Sequence, residues 1–195
     1  MTDKIKRKSR KRFIVAILLI FCALLRVEAG NLDFSLTRED STYIVYYSFP
    51  TTCPKDTLLQ IFHNYGHITR YLTQPNLSTT LIDSTDIWNK IIYRYRYVIS
   101  TFSLTLSRDL LADEGRVVFK LIESINDTWL IPKVLFVNGY YHVKEQGDTN
   151  IVSFYQRTTL DQEIRWFQFQ IIRAETNSFL KGLTGYIWKI YDTFN

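Results

Sequence analysis

From Ser41 onward the hydrophobic pattern changes period several times, and each change marks an element. Tyr43-Ile44-Val45-Tyr46-Tyr47-Ser48-Phe49 is β-branched and aromatic, a predicted strand that Pro50 ends. Leu58, Ile61, Phe62 and Tyr65 then recur at helical spacing. Thr52 or Cys53 is placed to cap that helix, Pro54 suits its first turn, and Asp56 complements its dipole. Gly66 interrupts, and Ile68, Tyr71 and Leu72 resume a second short helix that Pro75 ends.

Strand signals fill the stretch from Leu77 to Leu160. Leu77 to Asp83 is one candidate. Ile87 to Ile99 is the strongest: Ile91, Tyr93, Tyr95 and Tyr97 alternate with Lys90, Arg94 and Arg96, as in a half-buried antiparallel strand. Phe102, Leu104 and Leu106 share a face of the next strand, Thr101 to Leu106. Asp113-Glu114-Gly115 reads as a turn leading into Val117, Phe119 and Leu121. Asn126 to Asn138 reads as a connection, Gly139 to Glu145 as a strand, Gly147-Asp148 as a turn, and Ile151 to Leu160 as a strand. From about Ile164 to Tyr191 the helical period returns at Phe169, Ile172, Phe179, Leu183, Ile187 and Ile190. Gly182 and Gly185 weaken that helix but allow close packing. Strands gathered together, with helices on one side, give an α+β class. A curved antiparallel sheet of about six or seven strands wrapped around the long C-terminal helix buries that helix's stripe, with two short helices after the first strand.

The amino terminus stands apart. Seven Lys/Arg crowd residues 1–12, thirteen uncharged residues follow from Phe13 to Leu25, and Val27 and Ala29 sit at the −3 and −1 positions of a cleavage site before Gly30. Thirteen helical residues span about 20 Å against a hydrocarbon core of about 30 Å. A cleaved signal peptide over 1–29 is the expectation, with an uncleaved anchor through 13–25 as the alternative. Residues 30–40 are expected to be a loose segment before a single domain over 41–195. The location is then periplasmic or secreted, or anchored to the membrane.

Cleavage changes the charge balance. The chain carries a net charge of +5, but removing the leader's eight Lys/Arg and two Asp/Glu leaves 16 basic against 17 acidic side chains. Nucleic acid is therefore not an expected partner. Only Cys53 survives cleavage, so no internal disulfide is possible.

The order of elements resembles the START-related helix-grip superfamily, which includes polyketide cyclase/dehydrase-like proteins, coenzyme Q-binding-like proteins and lipid-transfer domains. Tyr46-Tyr47-Ser48-Phe49-Pro50 followed by Leu58 to Ile68 is similar to its first strand and helical step. Gly139-Tyr140-Tyr141-His142-Val143 and Ile151-Val152-Ser153-Phe154-Tyr155 resemble its last two strands, and Phe179-Leu180-Lys181-Gly182-Leu183 its closing helix. Arg70-Tyr71-Leu72 stands where a Trp or Pro-Trp is usual. The resemblance implies a cavity between sheet and helix for an apolar ligand such as a lipid, quinone, sterol or polyketide-like molecule. It carries over no catalytic residue and no cofactor.

The candidate ligand-binding residues are Tyr93, Tyr95, Tyr97, Phe102, Leu104, Phe119, Tyr141, Phe154, Phe179 and Leu183. The tyrosine row can line a cavity with orienting hydroxyls or serve as ordinary aromatic packing. Metal is not expected: His63 and His67 are four apart, but two ligands do not make a site. Asp109, Asp113 and Glu114 read as turn formers rather than an acid–base pair, and Cys53 shows no base to activate it. Three functions follow: a non-catalytic carrier of an apolar molecule, a cyclase/dehydratase-type enzyme with Gln156, Glu145 or His142 in its pocket, or a membrane-tethered interaction module with a filled core.

Overall fold

The computed structural model describes residues 33–72, 74–97, 100–127 and 132–191, with backbone alone for Asp33, Tyr97, Ser100 and Phe167. The segment read as a leader, 1–29, lies outside these residues. Eight strands make one antiparallel sheet: β1 (Asp33–Glu39), β2 (Thr42–Thr51), β3 (Leu77–Ser84), β4 (Trp88–Tyr97), β5 (Ser100–Leu111), β6 (Arg116–Asn126), β7 (Val134–Gln146) and β8 (Thr149–Leu160). Their order is β1-β2-β8-β7-β6-β5-β4-β3. Helices α1 (Lys55–His63) and α2 (Tyr65–Tyr71) follow β2, and α3 (Trp166–Tyr191) closes the chain. The arrangement is α+β with the helix-grip order. No helix among the described residues is long and apolar enough to cross a membrane.

The sheet has one strand more than expected, and the additional strand is β1. Residues 33–39 are not loose: they pair with β2 from Asp33↔Ser48 to Glu39↔Thr42. Phe34 and Leu36, spaced by two, pack against the core while Ser35 between them stays exposed, a short alternation inside a polar stretch. Burial alternates strictly along β2, with Tyr43, Val45, Tyr47, Phe49 and Thr51 inward. The strand runs through Pro50 instead of stopping there. Pro50 lies past Asp33↔Ser48, so among the described residues only the β8 side of the ladder flanks it.

Two more strands run longer than the sequence pattern shows. β7 begins at Val134, inside the expected connection, because a register shift between Val134 and Phe136 breaks the period-two alternation. β5 continues to Leu111, so Asp109 sits in a strand opposite Trp88 and Val118, and only Asp113 and Glu114 lie in the turn.

The helical corner differs in detail. The break between α1 and α2 falls at Asn64, whose side chain accepts from Gly66 N at 2.8 Å; Gly66 itself is helical. The N-cap position of α1 is Pro54 rather than Thr52 or Cys53, and it makes no side-chain cap; Thr51 Oγ1 accepts from Cys53 N. Leu58, Ile61 and Phe62 of α1 and Ile68 and Tyr71 of α2 are buried against the sheet's concave face. In α3, Leu180, Leu183 and Ile187 are fully buried in the carboxyl-terminal half. Gly185 faces open space and serves no close packing.

Candidate functional site

A cavity of about 270 Å³ lies between the sheet and the amino-terminal half of α3. The two halves of α3 divide the work. Ile171, Ile172, Glu175, Thr176 and Phe179 roof the cavity, while Leu180, Leu183 and Ile187 seal the core beyond it. Ile171 lines the cavity and is 46% exposed, so the space reaches the surface there.

The walls follow strand parity. Tyr93 and Tyr95 of β4 face inward with Leu104 and Phe102 of β5 opposite them. Tyr95 and Phe102 stack with ring centroids 4.6 Å apart and planes 7° apart. Phe119, Tyr141 and Phe154 form an aromatic floor across β6, β7 and β8, with centroids 5.0 to 5.9 Å apart. Gly139 makes room for it: a Cβ there would stand 2.4 Å from Phe119 Cζ and 2.2 Å from the Tyr155 carbonyl oxygen.

Of the sequence-derived candidates, Tyr93, Tyr95, Phe102, Leu104, Phe119, Tyr141, Phe154 and Phe179 line the cavity. Leu183 does not, because it falls in the sealing half of α3. The Tyr97 side chain lies outside what the structure describes. Arg94 and Arg96 are exposed on the opposite face. His67 Nδ1 is 2.8 Å from Tyr186 Oη, and His63 is buried beside the cavity. Of the three proposed enzyme groups, Gln156 lines the cavity and binds Thr158 Oγ1 at 2.9 Å, Glu145 is exposed, and His142 is half-buried without lining it.

The most unusual residue was absent from the sequence reading. Arg108 continues the inward series Phe102, Leu104, Leu106 on β5, and it is 3% exposed. It donates to Tyr93 Oη at 2.9 Å and to the Phe62 carbonyl, and its guanidinium carbon lies 5.5 Å from the Tyr141 ring centroid. The Phe62 bond caps the carboxyl end of α1, as does Asn89 Nδ2 donating to the His63 carbonyl at 2.6 Å. Neither ion pair found among the described residues involves Arg108. Arg108 Nε and Gln74 Oε1 are buried without hydrogen-bond partners, the buried Tyr71 hydroxyl lies beside Arg108 and Tyr141, and all three residues line the cavity.

Burial sets the protonation of this cluster. It pushes the Tyr71 hydroxyl up to about 12 against the pull of Arg108, and Tyr141 well above its usual range. It holds His63 below its ordinary value, with Arg108 adding in the same direction. Glu175, half-buried on α3, is raised by burial alone. Tyr71 and Tyr141 are thus neutral hydrogen-bond donors at pH 7, and Arg108 keeps its charge.

No family profile and no curated protein sequence matches the chain. Solved structures do. A STAR-related lipid transfer protein from Xanthomonas axonopodis superposes with a TM-score of 0.62 at 12% identity, over 83% of this chain and 96% of the other. An aromatase/cyclase from a Streptomyces species gives 0.58 at 10% identity, over 76% and 96%. A START superfamily protein from Mycobacterium smegmatis gives 0.56 at 10% identity, over 75% and 98%. The fold is therefore that of the START and polyketide cyclase-like proteins, a class whose sheet grips a long carboxyl-terminal helix.

Proposed function

We propose that this protein is a non-catalytic carrier or sensor of an apolar small molecule, working beyond the cytoplasmic membrane after loss of residues 1–29. The cavity carries this reading: about 270 Å³, walled mainly by aliphatic and aromatic side chains, just under the usual range for small-molecule sites. Neighbours of the same fold described as a lipid transfer protein and an aromatase/cyclase support an apolar or polyketide-like ligand. The same cavity argues against an interaction module with a filled core. Native mass spectrometry of protein purified from its own host tests the reading. A bound or transferable lipid, quinone or sterol is expected, on a chain beginning at Gly30. A chain that takes up no apolar molecule overturns the carrier, and one that begins at Met1 or Thr2 overturns the cleavage.

A cyclase-type enzyme is the second reading, favoured by the polar cluster of Arg108, Tyr71, Tyr93 and Tyr141 at one part of the cavity and Glu175 elsewhere in its lining. The tyrosines can polarise a carbonyl, and Glu175 is the carboxyl group available in the lining as a base. Turnover of a poly-β-ketone analogue, lost in Glu175→Gln, would establish it; absence of turnover removes it.

A further inference from the structure

We propose that the cavity takes a monocarboxylate with an apolar body, its carboxylate seated on Arg108 among Tyr71, Tyr93 and Tyr141. The inference rests on the apolar-ligand reading and specifies its chemistry. A buried cation without a counter-charge is costly, and its usual remedy is a paired carboxylate. Arg108 is 3% exposed and has none among the described residues. Its two acceptors, Tyr93 Oη and the Phe62 carbonyl, are neutral. The carboxyl end of α1 supplies a partial negative charge, which leaves a net positive charge facing the cavity.

Two donors stand at the same place. Arg108 Nε is buried with no partner, and the Tyr71 hydroxyl lies within reach of Arg108 and Tyr141. A guanidinium edge plus a tyrosine hydroxyl suits a planar, two-oxygen acceptor. Arg108 is the one cationic side chain in the lining among the described residues, so the complementary head carries one negative charge. Glu175 lines the cavity on α3 but makes no ion pair with Arg108, and it disfavours a second negative group near the roof. The remaining walls, including Phe102, Leu104, Phe119 and Phe154, accept the apolar body.

Calorimetric titration of the purified protein with decanoate, decan-1-ol and decyl phosphate tests this. Decanoate is expected to bind at least about tenfold more tightly than decan-1-ol, the discrimination that a hydrogen bond to a charged group supplies. Arg108→Met should abolish that preference and keep decanol affinity. Because Arg108 also caps α1, Tyr71→Phe is the second variant: it should weaken decanoate by about threefold or more and leave decanol unchanged. Equal affinity of the native protein for acid and alcohol overturns the carboxylate seat while the apolar-ligand reading stands. Tighter binding of decyl phosphate than of decanoate likewise overturns the monocarboxylate. Failure to bind all three ligands and the neutral probe N-phenyl-1-naphthylamine overturns both.

Discussion

Tyr47 on β2 and Thr184 on α3 share a buried hydrogen bond of 2.5 Å, and its direction is fixed. Thr184 Oγ1 gives its only proton to the Leu180 carbonyl at 2.9 Å, so Tyr47 donates. Thr184→Val should therefore cost more than Tyr47→Phe. The first strands a buried hydroxyl, about 1–3 kcal/mol; the second leaves Thr184 bonded to Leu180 and costs about 0.5–1.5 kcal/mol. Urea unfolding of both variants checks the order, and the reverse order refutes the donor assignment.

Leu104 lines the cavity on β5 and is only partly buried. Leu104→Trp should fill empty space, so stability should change by less than about 1 kcal/mol, well below ordinary overpacking. Binding of N-phenyl-1-naphthylamine should fall at least about tenfold. A large stability loss with unchanged binding would mean that the probe sits elsewhere.

Gly139→Ala should differ in costing stability while also crowding the cavity. The added methyl meets the Tyr155 carbonyl oxygen at 2.2 Å and the Phe119 ring at 2.4 Å. The backbone cannot yield cheaply, so a loss of about 1–3 kcal/mol or more is expected, and a displaced Phe119 narrows the cavity. Thermal or urea unfolding, with a probe titration beside it, reads both effects; native-like stability refutes the close approach.

Acid should weaken the fold above the range where ordinary carboxylates are protonated. Burial lowers His63, His67 and His142 below 6.5, with Arg108, Arg70 and Arg116 respectively adding to it. The unfolded chain then binds more protons than the folded one, so this contribution is complete above 6.5 and is lost as the pH falls below it. Glu175 acts in the opposite sense, from 4.5 upward, because its folded-state carboxyl is raised. Unfolding free energy should fall from pH 7.5 to 5.5, and His63→Gln should flatten the slope. A slope of the other sign, or one indifferent to His63→Gln, contradicts the histidine origin.

Strand parity in the sequence placed Tyr93 and Tyr95 on the face that lines the cavity, because β4 alternates without interruption. Where alternation is broken, the sequence was silent. The shifted register at Val134–Phe136 hid the start of β7, and β1 carries just two apolar residues among polar ones. Arg108 escaped for a related reason: a charged residue ended an apolar series that the strand itself continues. Extending the Phe102, Leu104, Leu106 parity by one step would have found it. Tyr71 was legible as an apolar-face position of the second short helix and Gln74 by no local pattern, but only the tertiary fold turns them into the cavity with β4 and β5. Leu183 shows the converse, since one helical stripe serves two different neighbours.

The ladder between β6 and β7 has a mechanical meaning. It holds five pairs, Arg116↔His142 to Lys120↔Asn138, whereas β5–β6 and β2–β8 hold ten each. Beyond Lys120 the two strands part, so the sheet is two four-stranded leaves, β3 to β6 and β1-β2-β8-β7, bound along a short spine. Flexing the leaves about that spine strains fewer hydrogen bonds than bending the sheet at any other interior seam. The aromatic floor of Phe119, Tyr141 and Phe154 crosses it, so the breadth of the chamber is coupled to the angle between the leaves as well as to the placement of α3.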